Sequence, residues 1–188
     1  MFRAMILIFA LASALMLPAV AQDSNSQDKN LDVRSSAGDL HIGEDADARK
    51  VGLPLYPGAR LKKDEHSDRA NLSIATEAFG MKLIVANYES DDAPAKVIDF
   101  YRGKLRKYGK VLECRSEKHG GDIDVHDHEQ DSKSSKELKC EQNDGPVTEL
   151  KVGTEDDQHV VAIEPRDGSS GSSFALVYVH TRGKQGDI

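Results

Sequence analysis

The amino-acid sequence predicts an α+β domain, with a curved antiparallel sheet of about six to seven strands and one main helix packed across it. Three observations lead to this fold class. Apolar residues recur at spacings of three and four between residues 94 and 108, which predicts a long helix. Runs rich in Val, Ile, Leu and Thr precede and follow it, which predicts strands. Segments such as NDGP and TEDD separate the later runs and are short enough to join antiparallel neighbours.

The N-terminus predicts export. Residues 1–21 have the pattern of a secretory signal peptide, with Arg3, an apolar run and the small residues Ala19, Val20 and Ala21 ahead of Gln22. The run is shorter than the roughly 20 apolar residues that span a bilayer. We therefore expect cleavage after Ala21, no stable membrane span afterwards, and a periplasmic or extracellular location.

Residues 22–50 are predicted to form a flexible polar leader. They are rich in Asp, Ser, Asn and Lys and hold few large apolar side chains, so folding them would bury little surface. Residues 31–33 and 40–42 are an exception, because they alternate and flank the turn-forming sequence Ser-Ser-Ala-Gly. A hairpin or an edge strand that docks onto the domain is the alternative for this stretch.

The single α+β domain is predicted to span residues 51–188. It begins with a type II turn at residues 56–59, where Pro57 fixes φ and Gly58 supplies a positive φ. The helix follows, with Asp91 or Asp92 expected to cap it, Pro94 in its first turn and Gly109 after its end. The predicted strands cover residues 72–76, 81–88, 111–114, 137–140, 148–152, 159–163 and 174–180.

The two cysteines of the chain, Cys114 and Cys140, are predicted to form a disulfide. Export takes the chain to an oxidising compartment, where two cysteines 26 residues apart are expected to pair. They fall in two predicted strands on either side of a loop at 116–135, which is acidic and rich in histidine. The bond would therefore tie together the base of that loop.

The loop holds the one candidate metal site of the sequence. In extended form Asp122, Asp124, His126 and His128 would project from one face, and imidazole and carboxylate suit zinc, nickel or copper. The signal is of low specificity, because His128-Glu129 begins an HExxH motif but Ser132 occupies the position of the second histidine. A solvated loop that binds no physiological metal is the favoured interpretation of residues 119–131.

Charge and motifs narrow the function classes. The chain has a formal net charge of −7 and no concentrated basic face, which argues against nucleic-acid binding. Neither GxSxG nor GxxxxGK[ST] is present, so no catalytic residue is assigned. The histidines outside the loop show no sequence partners and are interpreted as strand-surface residues: His41, His66, His159 and His180.

The segments GLPLYPGA, VIDFYRGKL and YGKVLEC together resemble a pattern in uncharacterised exported bacterial proteins. In those proteins a Pro-x-Tyr-Pro-Gly-Ala turn precedes a hairpin and a helix that carries Phe-Tyr and Leu. The resemblance covers about Gly52 to Cys114. It rests on Tyr56, Pro57 and Gly58 in the turn and on Phe100, Tyr101 and Leu105 in the helix. It implies a bacterial envelope setting and brings no catalytic or ligand residues with it.

The sequence therefore predicts a secreted or periplasmic binding or interaction module that acts on an envelope or extracellular partner. The alternative is a protein that binds a divalent transition metal through residues 119–131. Homodimerisation through an exposed edge strand at Phe174 to His180 is a further hypothesis, unless residues 31–42 cover that strand.

Overall fold

The computed structural model describes residues 30–62, 69–117, 137–141, 143–166, 168 and 170–183. Its helices are α1 (Ala48–Val51) and α2 (Pro94–Leu105), and a 3₁₀ turn at Arg106–Tyr108 follows α2 directly. Its strands are β1 (Leu31–Ser35), β2 (Gly38–Gly43), β3 (Arg60–Leu61), β4 (Arg69–Ala75), β5 (Gly80–Ser90), β6 (Leu112–Ser116), β7 (Val147–Thr154), β8 (Asp157–Pro165) and β9 (Ser172–Arg182).

The strands form one open antiparallel sheet. Their order is β1-β2-β4-β5-β9-β8-β7-β6, and β3 pairs with the end of β5. The sheet-dominated antiparallel class is thereby confirmed. The strand count is corrected, since the described residues form nine strands where six to seven were predicted. The prediction of an edge strand at Phe174–His180 is wrong, because β9 pairs with β5 on one side and β8 on the other.

Ordered structure begins before Val51. Within the predicted leader, residues 31–43 form the β1–β2 hairpin, and β2 pairs with β4 through Asp39 to Gly43. The hairpin alternative thus describes this stretch, and the flexible leader does not. The physical reason is that four apolar side chains of the hairpin line up with apolar side chains on β4: Leu31, Val33, Leu40 and Ile42.

The main core lies on one face of the sheet, which we call the core face. Every second residue of the central strands points into it, including Ile84 and Tyr88 of β5 and Phe174 and Leu176 of β9. A second, smaller cluster on the opposite face consists of strand residues such as Leu83, Val160, Val177 and Val179. The central strands are therefore apolar on both faces.

Helix α2 contributes Val97, Tyr101 and Leu105 to the core cluster of the core face. The Tyr101 ring lies 5.6 Å from the Phe174 ring, and its buried hydroxyl accepts a hydrogen bond of 3.2 Å from the backbone N–H of Tyr56. Pro94 stands in the first turn as predicted. The predicted aspartate cap is wrong, because Ala93 occupies the N-cap position and makes no side-chain cap bond.

The turn before β3 brings Tyr56 onto the core, as the sequence predicts. Gly58 has a φ of 75°, and the N–H of Ala59 donates to the carbonyl of Tyr56 at 3.0 Å. The Tyr56 ring packs edge-on against Phe100 at 5.2 Å and against Phe174 at 6.4 Å. A glycine at this position of a type II turn is required because of the positive φ.

The predicted disulfide is present between Cys114 of β6 and Cys140. The predicted strand at 137–140 is reduced to an isolated bridge between Glu137 and Thr154. The reason is that β6 pairs with β7 from Val147 to Lys151. Only the far end of β7, at Thr154, remains for Glu137.

No helix among the described residues is long and apolar enough to cross a membrane. The predicted signal peptide at 1–21 lies outside the described residues.

Candidate functional site

A cleft of about 490 Å³ lies where the ends of β7, β8 and β9 meet α1 and the 3₁₀ turn. We call it the His159 cleft. Its wall consists of ten residues: Lys50, Val51, Gly52, Tyr108, Val152, Gly153, Thr154, Asp157, His159 and Tyr178. Small-molecule sites commonly have volumes of roughly 300 to 1,000 Å³. The size of the cleft therefore suits a small ligand.

One wall of the cleft is the short helix α1, which two polar contacts hold in place. The Asp47 carboxylate accepts a hydrogen bond of 2.8 Å from the backbone N–H of Lys50, which caps the helix. The backbone N–H of Ala48 donates to the hydroxyl of Tyr88 on β5 at 2.9 Å, within the core. Helix α1 is thereby tied to the sheet at its first turn.

Gly52 ends α1 and faces the rings of Tyr108 and His159. Its φ of 83° is in the left-handed region, and its carbonyl accepts a hydrogen bond from the Tyr108 hydroxyl. A Cβ atom here would lie 3.2 Å from that hydroxyl and 3.3 Å from Nε2 of His159. Glycine is therefore required by the backbone conformation and by the closeness of the two rings.

His159 lies between two tyrosine rings. Its imidazole stacks on Tyr108 with 4.1 Å between ring centroids, and it lies 4.9 Å from Tyr178, its cross-strand partner on β9. Burial lowers the pKa of His159 below 6.5, although the charge of Asp157 and a hydrogen bond to the Val51 backbone act in the opposite direction. The ring is therefore neutral at pH 7.

Asp157 places a carboxylate beside the rings. Burial raises the pKa of Tyr178, and the charge of Asp157 and a hydrogen bond to its carboxylate raise it further. Tyr178 therefore keeps its proton at neutral pH. Oδ2 of Asp157 also lies 3.9 Å from Nδ1 of His180, which faces Asp157 across the β8–β9 ladder. Asp157 thus accepts a hydrogen bond from Tyr178 and lies near His180, whose buried Nδ1 has no hydrogen-bond partner among the described residues.

Polar side chains extend from the cleft across the core face of the sheet. Beyond the part of the core face that the helices cover, one polar residue from each of six adjacent strands falls in a single row. The row runs, from β1 to β8, through Asp32, His41, Ser73, Lys82, His180 and Asp157. The His159 cleft therefore opens at the end of a polar band on the same face.

Lys50 connects the cleft to a second polar cluster around Asp45. The Asp45 carboxylate pairs with the Lys50 ammonium and accepts a hydrogen bond of 2.9 Å from the Asn71 amide. These two contacts, with a smaller one to His41, lower the pKa of Asp45 to about 2. Nδ1 of His41 lies 2.8 Å from Oδ1 of Asp32, and this bond raises the pKa of His41. The cluster joins β1, β2 and β4 to α1.

The metal site predicted at Asp122, Asp124, His126 and His128 lies outside the described residues. The residues that the structure does describe contain no group of three or more His, Cys, Asp or Glu side chains placed to hold a metal ion. His66 also lies outside the described residues. The candidate site that geometry brings together is therefore a different one from that predicted by the sequence motif.

Sequence reasoning missed three histidines, because it found no partners for His41, His159 or His180. Strand alternation could have indicated part of the answer. His159 has the same parity as Val161 and Ile163, and an imidazole that shares a face with two core residues is placed against the core. The stacking of Tyr108 on that ring could not have been found this way, because it depends on where the end of α2 lies on the sheet.

Comparison of the chain with protein-family models, with curated proteins and with solved structures finds no match. Its function is therefore argued from the geometry of the cleft and from its chemistry.

Proposed function

We propose that this protein is an exported binding module that takes a small ligand in the His159 cleft. The signal-peptide pattern at 1–21 and the Cys114–Cys140 disulfide support export, since disulfides persist in oxidising compartments. The resemblance to exported bacterial proteins supports an envelope setting. In this proposal α2 is the main helix packed across the sheet. Its position matters for the cleft, because the 3₁₀ turn that follows α2 supplies Tyr108.

The observation that carries the proposal is the imidazole of His159, which is held in contact with the rings of Tyr108 and Tyr178. Packing alone does not require that a half-buried histidine on a strand contact two tyrosine rings and a glycine. Here α1, the 3₁₀ turn and two strands all place groups around it. Such convergence of aromatic and titratable side chains in a concave site is typical of ligand binding.

The chemistry of the wall indicates the ligand class. The Lys50 ammonium, which also pairs with Asp45, can contact an anionic group, the Asp157 carboxylate can contact a cationic group, and the partly exposed Tyr108 ring can contact an apolar part. A small zwitterion with an apolar portion, of the size of a free amino acid, combines these three features. The bound ligand would bury its apolar part on the ring, while both charged groups are paired.

NMR titration with each of the twenty free amino acids tests the proposal. At least one should shift the ring signals of His159 and Tyr178 in a saturable manner. For a responding aromatic amino acid such as phenylalanine, phenethylamine and 3-phenylpropionate are matched probes, because each lacks one of the two charges. We expect both to bind at least about tenfold more weakly, since each probe forgoes one of the two charge-assisted contacts with the wall.

Variants locate the binding. Asp157→Asn and Tyr108→Ala should each weaken the response, whereas Glu77→Gln, a change at an exposed residue that does not line the cleft, should not. The proposal fails if no amino acid shifts the His159 ring at about 10 mM, where even binding of roughly −3 kcal/mol would be visible. It also fails if the response persists unchanged in both cleft variants.

The metal-binding alternative at 119–131 stays a prediction, since those residues lie outside the described part of the chain. Zinc titration of the purified protein checks it. Sub-micromolar affinity that is lost in His126→Ala and His128→Ala would support a metal-binding function. Weak binding that survives these changes would instead favour a solvated loop.

A further inference from the structure

Strand β1 is one of the two edges of the sheet. It pairs with β2 on one side, and among the described residues no strand pairs with its other side. All five of its residues are exposed, including the apolar Leu31 at 53% and Val33 at 45%. An exposed edge with free backbone N–H and C=O groups can pair with a strand of another chain.

The charges of β1 select one pairing of the strand with itself. In an antiparallel pair, directly opposed residues lie on the same face. A two-fold axis between two copies of β1 must therefore pass midway between the two copies of one residue, which then face each other. Centring it on Asp32 would oppose two carboxylates, and centring it on Arg34 would oppose two guanidinium groups. Centring it on Val33 opposes Asp32 to Arg34 of the second copy, twice, and Val33 to Val33.

The neighbouring strand supports the same register. Within one copy, Arg34 faces Asp39 on β2 and Asp32 faces His41. With the axis at Val33, the row across the junction would read Asp39 and Arg34 of one copy, then Asp32 and His41 of the other. Arg34 would then lie between two carboxylates, and Asp32 would lie between a guanidinium group and a histidine. On the other face, Val33 would lose water on both copies.

We propose that two copies of this chain associate through β1, antiparallel and centred on Val33, so that their sheets become continuous. The interface is isologous, which is the commonest arrangement of soluble homodimers. The partner is a second copy rather than an unrelated strand, because the alternation of Asp32 and Arg34 is complementary to itself.

Disulfide trapping tests the proposal in the full chain. Cys114 and Cys140 are already bonded to each other, so Val33→Cys introduces the free thiol that reports the contact. At the proposed axis two such thiols face each other, and a covalent dimer should form on mild oxidation. Leu31→Cys is the matched control. In the proposed register residue 31 lies four residues from its own copy along the ladder, or about 14 Å.

A disulfide joins Cα atoms that are usually about 4.4 to 6.8 Å apart. We therefore expect Val33→Cys to cross-link about tenfold faster than Leu31→Cys or more, although Leu31 is the more exposed of the two. Sedimentation of the unmodified protein should show the mass rising from that of one chain to that of two chains as the protein concentration increases. Equal cross-linking of both variants, or cross-linking of neither, overturns the proposed register. A monomeric mass up to about 1 mM overturns the association itself. Asp32 and Arg34 would then be charged edge residues that prevent pairing with other chains.

Discussion

The two halves of the sheet bury their residues differently. In the C-terminal half, β5, β9 and β8 carry apolar residues on both faces, and with β7 they supply most of the fully buried side chains. In the N-terminal half, β1, β2 and β4 present polar residues such as His41 and Asn71 on the core face and apolar residues on the other. Leu31, Val33 and Ile42 of this half remain about half exposed.

This difference separates what holds the fold together from what is available for contact. The C-terminal half can be stabilised by its own packing, because aromatic side chains of β5, α2 and the turn at 56–59 surround Phe174 of β9. The N-terminal half depends more on polar contacts, above all those of Asp45 with Lys50 and Asn71. The His159 cleft lies against the C-terminal half, and Lys50 of its α1 wall also belongs to the polar contacts of the N-terminal half.

The largest contrast is expected from core substitutions. Phe174→Ala should lower the free energy of unfolding by about 3 to 5 kcal/mol, because the ring is fully buried among Tyr56, Tyr88 and Tyr101. Ile42→Ala, in the exposed half, should cost about 1 kcal/mol or less. Urea unfolding measures both. Equal losses would show that the two halves contribute alike.

Loss of the disulfide is expected to have the next largest effect on stability. The bond lies at the edge of the C-terminal half, at β6. Replacing both cysteines, Cys114→Ser with Cys140→Ser, should lower stability by about 3 kcal/mol, since the bond restricts the unfolded chain over a separation of 26 residues. Guanidinium unfolding of the variant and of the reduced wild-type protein should agree. No change in either would mean that the unfolded chain gains little freedom when the bond is absent.

Two tyrosine hydroxyls allow a finer comparison of burial. Tyr101→Phe removes a buried acceptor and leaves the N–H of Tyr56 without its partner, which should cost about 1 to 3 kcal/mol. Tyr108→Phe removes the bond to the Gly52 carbonyl at a partly exposed position, so water can replace it and the cost should be about 0.5 to 1 kcal/mol. Thermal unfolding distinguishes them. A larger loss for Tyr108→Phe would reverse the assignment of burial.

The smallest expected effects are two pH dependences of opposite sign. The pKa of His41 is raised, so its contribution is present below pH 6.5 and is lost as the pH rises through the folded-state pKa. The pKa of His159 is lowered, so its contribution is present above pH 6.5 and is lost as the pH falls through the folded-state pKa. The pH dependence at His41 thus arises in the N-terminal half of the sheet, and the one at His159 arises in the C-terminal half.

Unfolding free energies between pH 5 and 8 for His41→Gln and His159→Gln check this assignment. Relative to wild type, the first variant should lose a component of stability that falls with pH, and the second a component that rises with pH. If both variants change the profile in the same direction, the two histidines do not occupy the opposed environments described here.

Local patterns predicted much of the C-terminal half. The turn at 56–59, Pro94 at the start of α2, the antiparallel strands and the Cys114–Cys140 pair each depend on residues close in sequence or on a single pairing rule. The hairpin in the predicted leader was visible only as an alternative. Its few apolar residues are stabilised by alignment with β4, which no local pattern reports.

The site was less accessible to sequence reasoning than the fold. Each member of the His159 cleft belongs to an ordinary local pattern, namely a glycine after a short helix, a tyrosine after a longer one and polar residues at strand ends. What makes them a site is the strand order, which places β9 between β5 and β8 and sets His159 opposite Tyr178. Strand order depends on contacts distant in sequence, so the spacing of motifs does not reveal it.

The central claim is that His159 forms a neutral, preformed part of a ligand site because Tyr108 and Tyr178 shield it from water. An NMR pH titration of the His159 ring tests this most directly, in wild type and in Tyr108→Ala. The account predicts a wild-type midpoint below 6.5 that returns toward 6.5 when the Tyr108 ring is removed. A midpoint at or above 6.5 that is unchanged in the variant would contradict it.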